Sequence, residues 1–305
     1  MTTKQRTLLV TGASGRLGTR VVELLFNKKP GAVIAGSRTP DKLRLLAGLG
    51  ATLRKVDFDD PLETLVEAFT GVDRMLLIST DSVDPWVRRF QQHERAILAA
   101  KEAGVTHIVY TSFAHPDADS AVSIASDHRR TEEALAASGL SFTALRNNIY
   151  TDSLLQHAPA ALATGQLFGA SGEDGAAYVT REDCAKAAAA ALAMFTDGQV
   201  TLEVTGPAVV SYTQVARLLR EISGQNVTHV PLKAADRRAE LIGAGFSLTA
   251  ADILVSIDAG MAQRKFGPPT AVVRELTGRA PTSVAEFLSA NKRVLADGVP
   301  AASSQ

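Results

Sequence analysis

The chain has 305 residues, 46% of them hydrophobic, enough to bury one large core or a large and a smaller one. Thirty-two Lys plus Arg balance thirty-two Asp plus Glu, so no overall basic excess points to nucleic acid. The apolar run at 8–10 is far too short for a signal-peptide core, the longest apolar run, at 187–195, cannot span a bilayer, and the single Cys184 excludes an internal disulfide or a cysteine-rich zinc site; a cytoplasmic protein without membrane insertion fits this pattern.

In chain order, short β-branched runs alternate with helical periodicity. Residues 7–11 read as a strand, and Leu17, Val21, Leu24 and Leu25 then recur at helical spacing. A second strand at 32–36 precedes a helix from about Asp41, and a third is expected at 52–58. Leu62, Leu65, Val66 and Phe69 mark one buried face of the next helix. A fourth strand is expected at 72–79, followed by Asp84 and Pro85 as N-cap and first turn of a helix to about Ala103. On it, His93, Trp86, Phe90 and Ile97 are spaced as core or interface residues. A fifth strand at 105–112, a helix over about 128–138 and a strand at 140–146 complete six repeats.

Beyond Tyr150 the rhythm loosens, with Gly and Ala clusters at 165–175 that read as loops over a cleft. Thr180 and Asp183 form a weak capping box for a helix ending near Phe195, with Cys184 inside it as a small core residue. A strand at 200–205, a better box at Ser211 and Gln214, a strand at 227–230 and scattered helices follow. The expectation is an α/β, Rossmann-like doubly wound parallel sheet with a smaller C-terminal α+β lobe. The nucleotide-binding part spans 1–152, with about 176–206 packing back on it; 153–305 forms the smaller lobe, with a disordered tail from about Asp297.

The first strand-to-helix junction reads VTGASGRLGTR, with Gly12, Ala13, Ser14, Gly15, Arg16, Leu17 and Gly18 forming the turn. Glycines there permit positive φ and a close backbone approach, and the helix N-terminus supplies partial positive charge, so the turn is expected to cradle a dinucleotide pyrophosphate. An acidic residue ending the second strand would bind a ribose 2′-hydroxyl and a basic one a 2′-phosphate. The chain offers Ser37 and Arg38, with Lys42 one turn on and Arg16 as a further cation, which selects NADPH over NADH. Asp57 and Phe58 are placed to flank the adenine, and Ile78, Ser79 and Thr80 to face the cofactor at the carboxyl edge of the sheet.

These motifs, together with SRTPDKL, LLIST, HIVYTS, TEEALAASGLSFTALRNNIY and VTREDCAKAAAAAL, resemble the NmrA-like, atypical branch of the short-chain dehydrogenase/reductase superfamily over residues 7–205. Within it the chain is most similar to bacterial NADPH-dependent quinone oxidoreductases, with triphenylmethane reductases close behind. The resemblance implies that Asn147, Asn148, Ile149 and Tyr150 line the nicotinamide side of the pocket.

The chain departs from the wider superfamily in lacking a Tyr-x-x-x-Lys pair: Tyr110, Tyr150, Tyr178 and Tyr212 are followed four residues on by Ala, Leu, Glu and Ala. Aligned on the usual helix, Ile124 stands at the tyrosine and His128 at the lysine, while Ser112 occupies the place of the usual serine. A positioned general acid is worth roughly 10²–10⁴ in rate, so ordinary alcohol dehydrogenase chemistry is disfavoured. A quinone instead yields a phenolate-like oxyanion of pKa about 10, which water can protonate, and a cationic dye takes hydride with no proton. The expected function is hydride transfer to a small planar acceptor, with His128, Tyr150 and Ser112 as candidate catalytic groups and Phe113 and His115 as pocket wall. The alternative is an NADP-binding sensor that turns nothing over; a sugar-nucleotide epimerase would need the absent pair. The six histidines lack metal-ligand spacing, so no metal is expected, and homo-oligomerisation is left open.

Overall fold

Strands covered on both faces need apolar side chains pointing both ways, and the sequence supplies them. Leu8, Leu9 and Val10, Met75, Leu76 and Leu77, and Ile108, Val109 and Tyr110 are all buried. The computed structural model describes residues 6–28, 31–80, 87–194 and 197–297. Its strands are β1 (Arg6–Val10), β2 (Gly31–Ser37), β3 (Thr52–Lys55), β4 (Arg74–Leu77), β5 (His107–Phe113), β6 (Ser141–Asn147), β7 (Gln166–Gly169), β8 (Gly175–Ala176), β9 (Gln199–Val204), β10 (Val210–Ser211) and β11 (Thr228–Pro231). Its helices are α1 (Arg16–Lys28), α2 (Arg44–Gly48), α3 (Leu62–Phe69), α4 (Val87–Glu102), α5 (Ala125–Ser138), α6 (Leu154–Thr164), α7 (Arg181–Ala193), α8 (Tyr212–Ser223), α9 (Ala234–Gly243), α10 (Leu248–Ala262), α11 (Val272–Thr277), α12 (Val284–Ala290) and α13 (Lys292–Asp297).

Seven strands form one sheet in the order β3-β2-β1-β4-β5-β6-β9, and every pair in it is parallel. The order reverses between β1 and β4, which opens a crevice at the carboxyl edge where such sheets bind ligands. This is the doubly wound fold expected from the alternating elements. Val21, Val22 and Leu25 of α1 and the alanine-rich α7 cover one face, with Cys184 buried among them. Leu65 and Phe69 of α3, Ala96, Ile97 and Ala100 of α4 and Leu135 of α5 cover the other. Each fully buried large aliphatic side chain stabilises by about 1.5–3 kcal/mol, so helical spacing of apolar residues suffices to place these helices. A third apolar cluster joins Leu154 and Ala158 of α6, Tyr212 and Leu219 of α8, Met261, Phe266 and Leu288, away from the main sheet.

Two strands are shorter than their sequences predict. β3 stops at Lys55 because the chain turns at Asp57, whose carboxylate accepts from Asp59 N at 3.1 Å and whose carbonyl accepts from Asp60 N at 3.0 Å. β4 stops at Leu77 because side chains, not strands, take the next three amides, as described below. The segment at 165–175 contains β7, which pairs in parallel with β11, rather than loop alone. Asp84, Pro85 and Trp86 lie outside the described residues, as does the tail at 298–305. Ser211 and Gln214 cap α8 reciprocally, as expected, whereas at α7 only half of the expected box forms: Thr180 accepts from Asp183 N at 3.0 Å, but the Asp183 carboxylate accepts from the Thr180 hydroxyl and not from its backbone N–H. No helix of the described residues is long and apolar enough to cross a membrane.

Candidate active site

The glycine turn is built by close backbone contacts. Gly12 sits at φ +60°, and its carbonyl accepts from Gly15 N at 3.0 Å. A Cβ on Gly18 would lie 2.3 Å from that same carbonyl, so only glycine lets α1 start so close to β1. Ala13 and Leu17 are buried and anchor the turn, while Ser14, Gly15 and Arg16 are exposed. The first-turn amides of α1 have no acceptor within the helix and sit at its positive end. Ser37, buried at the end of β2, donates to Ser14 Oγ at 3.0 Å and accepts from Thr39 N at 3.1 Å. It thereby fixes the turn beside Arg38 and Lys42, both exposed and without an ion pair among the described residues.

After β4 the carboxyl edge is held by three successive side-chain acceptors. Ile78 N donates to Thr11 Oγ1 at 3.1 Å, Ser79 N to Thr111 Oγ1 at 2.9 Å and Thr80 N to His93 Nε2 at 3.1 Å. Arg89 Nε adds a bond to Thr80 O at 3.0 Å. Asp57 is half-buried beside this edge, whereas Phe58 packs its ring in the core with Leu65 and Phe69. The Phe58 side chain is thus committed to packing, which leaves its backbone, and not its ring, for any contact at this edge.

At the end of β6, Asn147 is buried and its Oδ1 has no hydrogen-bond partner. Thr80 Oγ1 and Thr151 Oγ1 are likewise sealed and unpartnered. Asn148 is tied down instead, donating to Phe266 O at 3.3 Å and accepting from Ile149 N at 2.8 Å. Ile149 is buried in the third apolar cluster. Tyr150 is half-buried, with the Arg181 guanidinium 5.1 Å from its ring centre and Asn147 Nδ2 at 3.5 Å from its hydroxyl; burial raises the phenol well above its ordinary value.

His128 lies in the first turn of α5, 5% exposed, with Nδ1 at 2.8 Å from the Tyr110 hydroxyl and its ring 5.9 Å from that of Phe113. Burial pushes the imidazole well below its ordinary pKa, and the Arg89 charge adds to this, so His128 is neutral. Ser112 is not brought to it. The Ser112 hydroxyl donates to Glu132 Oε1 at 2.6 Å, inside an ion cluster in which Arg146 bridges Glu132 at 2.7 Å and Glu203 at 3.1 Å. Among the candidate catalytic groups, then, His128 and Tyr150 end at the sheet edge and Ser112 serves the scaffold. Phe113 and His115, the expected wall, are half-buried, and Phe113 meets Phe266 edge-on at 5.6 Å.

Tyr110 and His93 were not expected here from the sequence. Each occupies an ordinary apolar position in its element, and only the pairing of β5 with α4 and α5 brings them together. No group of three His, Cys, Asp or Glu among the described residues could hold a metal ion.

Taken by its donors, the edge suits a dinucleotide: free amides and a glycine cradle for a pyrophosphate, cations beyond β2 for a 2′-phosphate, and sealed, unpartnered Asn147 and Thr80 oxygens for polar groups further along. A family model described as NAD(P)H-binding matches residues 12–194. The chain is 37% identical to quinone oxidoreductase 2 of Escherichia coli over 92% of this chain and 97% of that protein. It is 27% identical to an NAD(P)H azoreductase of Xenophilus azovorans, over 93% and 97% of the two chains. The E. coli NADPH-dependent quinone oxidoreductase solved with NADPH superposes with a TM-score of 0.87, covering 93% of this chain and 99% of that one. The Citrobacter sp. triphenylmethane reductase complexed with NADP(H) superposes with a TM-score of 0.86 at 29% identity, with the same coverage. The fold and the motif resemblance are both borne out, and the chain belongs to the NmrA-like, NAD(P)H-binding family that includes E. coli quinone oxidoreductase 2.

Proposed function

We propose that this protein is an NADPH-dependent reductase that passes hydride to a small planar acceptor of the quinone or cationic dye type. The observation that carries the reading is the combination of a cation-flanked glycine turn with a cleft that has no Tyr-x-x-x-Lys acid. NADPH, when bound, supplies the hydride. The protein's part is to hold and orient: α1 and the glycine turn take the pyrophosphate, Arg38 and Lys42 the 2′-phosphate, and Ile78 to Thr80, on amides fixed by Thr11, Thr111 and His93, form the floor. Asn147 and Thr80 offer polar atoms towards the nicotinamide end, and Tyr150 and His128 face the acceptor. The relatives named for quinone, azo-compound and triphenylmethane reduction support this acceptor class.

The test is loss of NADPH absorbance with purified protein, a panel of simple quinones and a triphenylmethane dye, run beside NADH. Acceptor-dependent oxidation that prefers NADPH is the expected result. Tight NADPH binding with no turnover on any acceptor would replace the reductase by an NADP-binding sensor.

A further inference from the structure

A buried hydrogen-bond chain runs beneath the carboxyl edge, and one backbone donor sets its direction. Thr80 N–H points at His93 Nε2 at 3.1 Å, so that nitrogen must be the acceptor. His93 is fully buried, and desolvation lowers its pKa to about 3, so the ring is neutral and its hydrogen sits on Nδ1. That hydrogen is given to Thr131 Oγ1 at 3.0 Å, whose own hydrogen goes to Asp127 O at 2.7 Å. The Tyr110 oxygen lies 3.5 Å from the same His93 nitrogen and faces an N–H there, so the phenol cannot donate in that direction. Its shortest hydrogen bond, at 2.8 Å, is to His128 Nδ1, with the Ser79 and Thr131 hydroxyls as weaker neighbours, and that nitrogen is its acceptor. His128 then carries its hydrogen on Nε2, which has no hydrogen-bond partner among the described residues.

We propose that Tyr110 is a positioning residue that fixes His128 as a neutral Nε2–H donor for the oxyanion forming on a reduced quinone. The proposal rests on the quinone reductase reading above. The quinone takes up the hydride, that is two electrons and one proton, leaving NADP⁺. The hydroquinone monoanion takes its last proton from water. His128 lends a hydrogen bond throughout and keeps its proton, as a neutral imidazole should, since a preorganised neutral donor stabilises developing charge without having to titrate. Tyr110 keeps its proton as well, burial having raised its pKa far beyond the ordinary phenol value. The missing tyrosine acid of the wider superfamily is thus answered by a tyrosine behind a histidine, acting through orientation.

Tyr110→Phe removes the donor to Nδ1 together with the longer 3.5 Å contact to His93. A quinone forms an oxyanion and a triphenylmethane cation does not, so the ratio of quinone to dye kcat in this variant is expected to fall about tenfold. Equal losses on both acceptors would mark Tyr110 as merely structural and overturn the proposal. Should Tyr110→Phe fail to fold, ¹⁵N NMR of the wild-type protein with NADP⁺ decides the same point, with the His128 ring assigned by its loss in His128→Gln. An Nε2–H tautomer supports the proposal and an Nδ1–H tautomer overturns it. A wild-type protein that reduces neither acceptor would sink the reductase reading, and with it the role of His128 at an oxyanion, even with the tautomer as proposed.

Discussion

The Ser37 hydroxyl donates to the Ser14 hydroxyl at 3.0 Å, locking the end of the second strand to the glycine turn. This bond sets where the next residue, Arg38, stands relative to the pyrophosphate cradle. With Arg38 on the 2′-phosphate as proposed, replacing it with Asp removes a charge-assisted contact worth about 1.5–3 kcal/mol, so NADPH should bind roughly 10–100-fold more weakly while NADH changes little. Titration of both cofactors checks it, and equal effects on the two would remove the 2′-phosphate from Arg38.

Gly18→Ala should damage the same cradle from the other side. Its Cβ would meet backbone, the Gly12 carbonyl at 2.3 Å and Ala13 Cα at 2.8 Å, so the helix must shift to admit it. Overpacking of this kind costs about 1–3 kcal/mol. Urea unfolding should show that loss together with a rise in NADPH Kd, and a variant that binds NADPH normally would show that the turn tolerates displacement.

The two buried imidazoles beneath the edge make stability depend on acid. Below the ordinary histidine pKa of about 6.5 the unfolded chain protonates both rings, whereas folded His93 stays neutral down to about 3 and His128 is also held well below its ordinary value. Because the unfolded state binds the extra protons, stability is present above pH 6.5 and declines as pH falls from there towards 3. Each ring contributes a slope of about 1.4 kcal/mol per pH unit. Urea midpoints between pH 7 and 5 should show the decline, with a shallower slope in His93→Gln; an unchanged slope would mean that His93 is charged or solvated in the folded protein.

Away from the site, Asp258 anchors the third apolar cluster. Almost fully buried, it accepts from Tyr212 Oη at 2.7 Å and Ala170 N at 3.0 Å and faces the buried Arg237 at 3.4 Å. Asp258→Ala strands a buried guanidinium with only Glu240 beside it, and should destabilise by about 3–5 kcal/mol, measured by thermal or urea unfolding. A loss below about 1 kcal/mol would show that Glu240 alone suffices.

Much of this architecture is legible in the sequence because its signals are local. Leu65 and Phe69 announce α3, Ser211 and Gln214 cap α8, and Gly12 to Gly18 mark the turn, each within a few residues. What the sequence hides is held by long-range contacts. The end of β4 depends on Thr11, Thr111 and His93, from three other elements, and β7 has no identity without β11, some sixty residues on. Ser112 shows the limit of alignment by position, since a serine after the fifth strand looks available until Glu132 arrives across the fold to claim its hydroxyl. Tyr110 shows the converse: four residues from an alanine, it fits no catalytic motif, yet it touches His128, the histidine aligned at the usual lysine.

The seventh strand enters the sheet only after the chain has left it to build α6, β7 and β8, and α11 later returns to pack on α7 and β9. The sheet and the third apolar cluster are therefore stitched together by several passes of the backbone instead of joined at one hinge. A cleft walled this way cannot open by swinging a module on a single pivot. Admitting a bulky acceptor must come from side chains and short connecting turns giving way, and grafting the smaller part onto another sheet would tear strand β9 out of its own.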